Sequence, residues 1–253
     1  MDVRDIIKVT VISLGLGLGL GACASGPSGA GGDDDTTNAT DCSALMGIPA
    51  GDDPAVIDDL EDGDEGISEN GSRVGAWYSF NDATAGGMQE PSDAVDFKPS
   101  MDSACGMYAA RTHGKGFKEW GAGIGLDLNA PTPAMGQPEL RLKYDASQYT
   151  GIAFEAKGNV SIRMQIAEIA TLPMMEGGSC VPGTMDGMMC EDGFGKVVAL
   201  SAGWKTYQLP FAELKQEGWG WPVTFDAKTL TGLQFSCLQN LDFDFSIDNV
   251  RFY

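Results

Sequence analysis

Six acidic side chains crowd one short stretch, IDDLEDGDE: Asp58, Asp59, Glu61, Asp62, Asp64 and Glu65. Such a cluster repels itself unless water or a cation neutralises it. A further carboxylate, Asp248, interrupts the apolar alternation Leu241, Phe243, Phe245, Ile247 near the C-terminus. Elsewhere, polar side chains alternate with apolar ones. Arg163 and Gln165 stand opposite Ile162, Met164 and Ile166, while Glu155 and Gln234 stand opposite their own apolar neighbours. A guanidinium donates several hydrogen bonds in a fixed fork, and amides and carboxylates complete the needs of a hydroxyl-rich ligand. Trp77, Tyr78, Trp219 and Trp221 offer flat apolar rings. His113 is the only histidine. One histidine cannot build a His-rich zinc site, nor a Ser-His-Asp triad without the other members. No G-x-S-x-G elbow, phosphate-binding loop or dinucleotide fingerprint accompanies it.

These side chains must be positioned by strands. Period-two runs recur in GMYAART, WGAGIGLDL, GIAFEAKG, VSIRMQIAEI, KVVAL, KTYQLPF, GLQFSCLQ and FDFSIDNVRFY, and turn residues separate them. This pattern predicts an all-β antiparallel sandwich or barrel. PFAELKQEG is the one helical candidate. WGAGIGLDL poses its own question, because Gly121, Gly123 and Gly125 leave one face of the strand bare. Either a flat ligand or the long loop 81–100 fits against that face. Trp120 and Trp204 are expected in the core.

The 253-residue chain carries 36 acidic and 16 basic residues, a net charge of -20. Nucleic acid is therefore excluded as a partner. Residues 1–22 read as a secretory signal, with Arg4 and Lys8 ahead of a short apolar run. Residues 23–41 are Gly, Ser, Thr and Asp without apolar periodicity, a flexible tether. Residues 42–253 form one domain, expected as a monomer. Export favours disulfides. Cys180 and Cys190 flank one glycine-rich loop and are the expected pair, with Cys42 and Cys105 a second option. Cys237 reads as a buried, inert thiol.

Leu20-Gly21-Ala22-Cys23 resembles the bacterial lipobox. The resemblance implies lipid on Cys23, and Ala24 after it implies an exported protein anchored in the outer membrane. The order IDDLEDGD, ARTHGKGF, TGIAFEAKG, SIRMQIAE, GWKTYQLPFAEL, TGLQF and FDFSIDNVRFY resembles the jelly-roll carbohydrate-binding modules attached to bacterial cellulases and β-glucanases. It covers roughly residues 56–253. The resemblance implies a galactose-binding-like jelly-roll β-sandwich whose first and last strands lie side by side and clamp structural calcium. Asp59, Glu61 and Asp248 would then supply carboxylates, and His113 and Lys115 carbonyls. It also implies a polysaccharide or oligosaccharide ligand on Glu155, Arg163, Gln165, Gln234 and the four aromatic residues. The disulfide loop and WGWP stand outside that pattern. Two other readings remain open: a glycoside hydrolase or lyase, or a structural or adhesion lipoprotein with a protein partner. The first needs two carboxylates about 5–9.5 Å apart, and Asp127, Glu139, Asp145 and Glu155 are the candidates.

Overall fold

The computed structural model describes residues 53–183 and 188–253. Eleven strands follow one another: β1 (Val56–Asp58), β2 (Trp77–Asn81), β3 (Met88–Glu90), β4 (Ala110–Lys115), β5 (Ala122–Asp127), β6 (Gly151–Gly158), β7 (Ser161–Glu168), β8 (Phe194–Ala199), β9 (Lys205–Pro210), β10 (Leu230–Cys237) and β11 (Phe243–Phe252). They form two antiparallel sheets. One runs β3-β4-β11-β6-β9, with β1 also pairing with β11; the other runs β2-β5-β10-β7-β8. Strands adjacent in sequence repeatedly cross between sheets, and the first strand lies beside the last. The fold is a jelly-roll β-sandwich.

Alternation decides what enters the core. Ile162, Met164 and Ile166 of β7, Leu233 and Phe235 of β10, and Ile124 and Leu126 of β5 are wholly buried from one sheet. Phe154, Phe245, Ile247 and Phe252 meet them from the other. The helical candidate shrinks to a 3-10 turn, Phe211–Glu213, following Pro210. Cys237 is buried as expected, its thiol 3.5 Å from the Ala122 carbonyl.

The glycine strand β5 runs between β2 and β10. Loop 81–100 joins the opposite sheet: Met88–Glu90 pairs with β4, and Phe97 enters the core, stacked 5.9 Å from Trp77. What meets the bare glycines is the neighbouring strand. A Cβ on Gly125 would lie 2.7 Å from Tyr78 Cζ, and one on Gly123 would lie 2.8 Å from Phe80 Cζ. The glycines let two aromatic rings lie flat on the sheet.

The Cys180–Cys190 disulfide is present, with Cα atoms 5.8 Å apart. Cys105 is disulfide-bonded, but its expected partner Cys42 lies outside the described residues, as do Cys23 and the proposed signal and tether. No helix among the described residues is long and apolar enough to cross a membrane.

Candidate functional site

The outward face of the five-stranded sheet gathers most of the candidate residues. Strand pairing sets one row across it: Tyr78, Gly125, Gln234, Gln165, Gly195. The next row holds Phe80, Gly123, Ser236, Arg163 and Val197. Polar side chains in these rows hydrogen-bond in sequence. Arg163 Nε lies 3.4 Å from Gln165 Oε1, Gln165 Nε2 donates to Gln234 Oε1 at 2.6 Å, and Gln234 Nε2 donates to Tyr78 Oη at 3.2 Å. This ribbon crosses the sheet perpendicular to the strands. Each amide keeps a further N–H and a lone pair for a ligand.

The aromatic edge lies beside it. Phe80 stands 6.0 Å from Tyr78 and stacks 6.1 Å from Trp120, ring centre to ring centre. Trp120 is about half exposed, contrary to its expected place in the core. The cause is Gly121, whose φ of +107° turns the chain before β5 begins and breaks the alternation that would have carried Trp120 inward. Trp77 makes the opposite move. It is 2% exposed, packs against Phe97 and Phe235, and donates Nε1–H to Asp58 Oδ2 at 2.7 Å. It is a core residue and leaves the ligand set. Trp204 is only partly buried, with Lys157 Nζ 4.9 Å from its ring centre.

Charges frame the face. The Arg141 guanidinium lies 5.6 Å from the Tyr78 ring centre, a cation–π distance. It also lies 2.9 Å from both Asp127 Oδ1 and Glu176 Oε2. Burial pushes the Tyr78 hydroxyl up to about 12 and the Asp127 carboxyl up to about 6. Arg163 is held by the carbonyls of Gly193 (3.1 Å) and Lys215 (2.8 Å) and lies flat over Gly195. Trp219 is about half exposed, and Trp221 is partly buried beside the disulfide loop, its N–H donating to the Met189 carbonyl at 3.0 Å.

Glu155 does not belong here. It sits on β6 in the other sheet, 1% exposed, paired with both Arg251 nitrogens at 3.0 and 3.1 Å and accepting from Thr206 at 3.1 Å. Alternation showed that it opposed its apolar neighbours; it could not show to which sheet β6 belongs.

The five residues considered for calcium do not share a centre. Asp248 accepts from Ser103 Oγ, Ala104 N and Asn249 N, all at 2.7 Å. Glu61 accepts from Met107 N and Tyr108 N, and Asp59 from Glu61 N. His113 lies on β4, opposite Asp244, with Glu90 3.6 Å away. Four residues of β11 separate that register from Asp248, about 13 Å of strand, and Lys115 is further still. Among the described residues no group of three or more His, Cys, Asp or Glu converges as metal ligands would. The set does not fit one calcium ion.

The residues that sequence reasoning missed are Phe80, Trp120 and Arg141. A signal for the first existed: in antiparallel register, two aromatics spaced by two face two glycines spaced by two.

No protein-family model matches the sequence, nor does any curated protein. Among solved structures, the chain is similar to a family 11 carbohydrate-binding module of a cellulosomal cellulase of Clostridium thermocellum, with a TM-score of 0.47 and 17% identity over 78% of this chain and 92% of that one. It is also similar to a family 11 carbohydrate-binding module from Clostridium thermocellum in complex with a β-1,3-1,4-mixed-linked tetrasaccharide, at TM-score 0.46 and 17% identity over 78% and 94% of the two chains. A family 30 module from a Clostridium thermocellum cellulosomal cellulase is similar at TM-score 0.45 and 15% identity, over 75% and 96%.

Proposed function

We propose that this is a non-catalytic carbohydrate-binding domain whose ligand lies on the outward face of the five-stranded sheet. One observation carries the reading: aromatic rings laid flat on a glycine floor stand beside a continuous ribbon of amide and guanidinium groups. A sugar ring presents a C–H face and an equatorial fringe of hydroxyls. The rings suit the first, and the residual donors and acceptors of the amides suit the second. A hydrolase would need two free carboxylates facing each other across a cleft. Asp127 and Glu176 both turn to Arg141. Secretion, lipid attachment through Cys23 and display at the outer membrane complete the proposal, supported by the lipobox-like LGAC and the uncharged run before it. Calcium is left out of the proposal, since the carboxylates considered for it already accept backbone N–H groups.

A glycan array probed with the purified full chain in detergent tests this. Retention on neutral polysaccharide is expected, and Phe80→Ala lowers affinity about tenfold, equivalent to ~1.4 kcal/mol. Retention on no glycan, or unchanged binding by Phe80→Ala, would overturn the reading.

A further inference from the structure

The glycine-rich disulfide loop and the WGWP segment meet in space. Met189 bridges to Gly220, and the Trp221 N–H donates to the Met189 carbonyl at 3.0 Å. Between them sits Asp192, 1% exposed. Its Oδ1 accepts from Glu217 N at 2.9 Å, and its Oδ2 from Gly218 N at 2.8 Å and Gly220 N at 3.1 Å. Gln216 closes the loop from within, donating to the carbonyls of Asp192 and Trp221 and accepting from Val223 N at 3.0 Å. Two glycines make this possible. Gly218 has a φ of +94°, and a Cβ on Gly220 would lie 2.3 Å from Asp192 Cβ.

The closed loop keeps Trp219 half in water. The indole Nε1–H donates to Glu217 Oε2 at 3.0 Å, and Glu217 Oε1 lies 3.9 Å from the Arg163 guanidinium on the sheet face. The segment is bonded to the free edge of β8 through Gly195 and Lys215. Four strand spacings separate β8 from β2, so the Phe80–Trp120 rim and the Trp219 rim stand roughly 20 Å apart. A large ring fixed in advance loses little freedom when a ligand covers it.

We propose that Trp219 is a second aromatic subsite and Asp192 its positioning residue, so that the face takes an extended neutral polysaccharide chain laid across the strands rather than a single sugar. The inference rests on the carbohydrate reading above. Neutrality follows from charge: Arg141 and Arg163 are committed to protein partners, and the net charge of -20 repels an anionic chain.

Calorimetric titration of the full chain with mixed-linked β-gluco- and β-1,4-galacto-oligosaccharides of about two to six sugars tests it. Trp219→Ala is expected to weaken the longest ligand about tenfold or more and the shortest less than about twofold, a hot-spot loss confined to chains that reach both rims. Asp192→Asn reproduces the same length-selective loss, and Trp219→Phe restores most of the affinity. A merely structural role would weaken all lengths alike. That outcome, or unchanged binding of every length by Trp219→Ala, overturns this proposal alone. A wild-type chain that binds none of the series, and no glycan on the array, overturns the parent reading with it.

Discussion

The two outward faces of this sandwich are built from strands of the same period and end in opposite chemistry. On the six-stranded sheet the outward side chains are charged and consumed. Glu155 is held by Arg251, Arg111 by Asp244, Lys157 by Asp102, and Asp248 by the backbone and Ser103 of the segment that lies over it. On the five-stranded sheet the outward side chains are mainly amides, aromatics and glycines, with Arg163 the one charge in the bonded line, and the amides of that line leave valences open to solvent. A charge buried on a sheet face demands a partner at once. An amide row does not, and it can stay half-exposed at little cost. Polarity alone therefore does not mark a ligand face; the proposed site rests on polarity without a committed partner.

The contrast can be broken most forcefully on the covered side. Glu155→Ala leaves Arg251 without its carboxylate and is expected to cost about 3–5 kcal/mol. Denaturant unfolding measures the loss, and glycan binding of the fraction still folded stays unchanged. A cost below about 1 kcal/mol would mean that the faces are not so different. On the open side, Gly123→Val sets a side chain against Phe80 and, at 2.3 Å, against the Phe235 carbonyl. A destabilisation of about 1–3 kcal/mol is expected, together with loss of glycan affinity, since Phe80 must move. A stable variant that still binds would show that the ring does not need its glycine floor.

A smaller effect comes from buried acids. Burial raises Asp58 and Glu168 to about 7, and Asp127 and Asp248 to about 6. In each case the folded state holds its proton to higher pH than the unfolded chain does. Their stabilising contribution is therefore fully present below about pH 4 and is lost as pH rises through about 6 to 7. Thermal midpoints are expected to be higher at pH 5 than at pH 8. Glu168 has one carboxylate oxygen without a partner, so Glu168→Gln should raise the midpoint at pH 8 by about 2–4 °C, the equivalent of ~1 kcal/mol, and leave pH 5 nearly unchanged. A midpoint that climbs steadily from pH 5 to pH 8 would contradict this. The smallest effect is reserved for chelation. Glu61 and Asp248 are satisfied by N–H groups, so a chelator is expected to leave the melting curve in place. An ion at a hundredfold excess over its Kd would contribute ~2.7 kcal/mol, and a drop of that size would reinstate a cation.

Strand positions were legible in the sequence because the apolar alternation is strong; Ile162, Met164 and Ile166 turned inward as read, and Arg163, Gln165 and Gln234 outward. What alternation cannot carry is which of two aromatic faces is the inner one. WYSF places Trp77 and Phe80 on opposite sides, and Trp77 goes in against Phe97, Phe235 and the Asp58 carboxylate reaching across from β1. Nor does it reveal sheet membership, which is why Glu155 reads from sequence as a ligand-face residue although β6 lies in the other sheet. The rims were least legible. Arg141 reaches Tyr78 from outside the named strands, and Trp219 depends on a carboxylate 27 residues earlier in the chain.

One further side chain has a mechanical meaning. Arg73, 1% exposed, donates to the carbonyls of Pro54 just before β1, Val56 at its start and Ser68 in the segment that follows it. β1 is the first strand after the segment read as a tether, and it pairs antiparallel with β11 in the middle of its sheet. Were the proposed lipid anchor to hold the N-terminus while the proposed face gripped a polymer, the load would enter the described domain near Pro54 and Val56. The guanidinium would then share it among three carbonyls before the ladder bonds of β1 were strained, guarding the sandwich against peeling from that end.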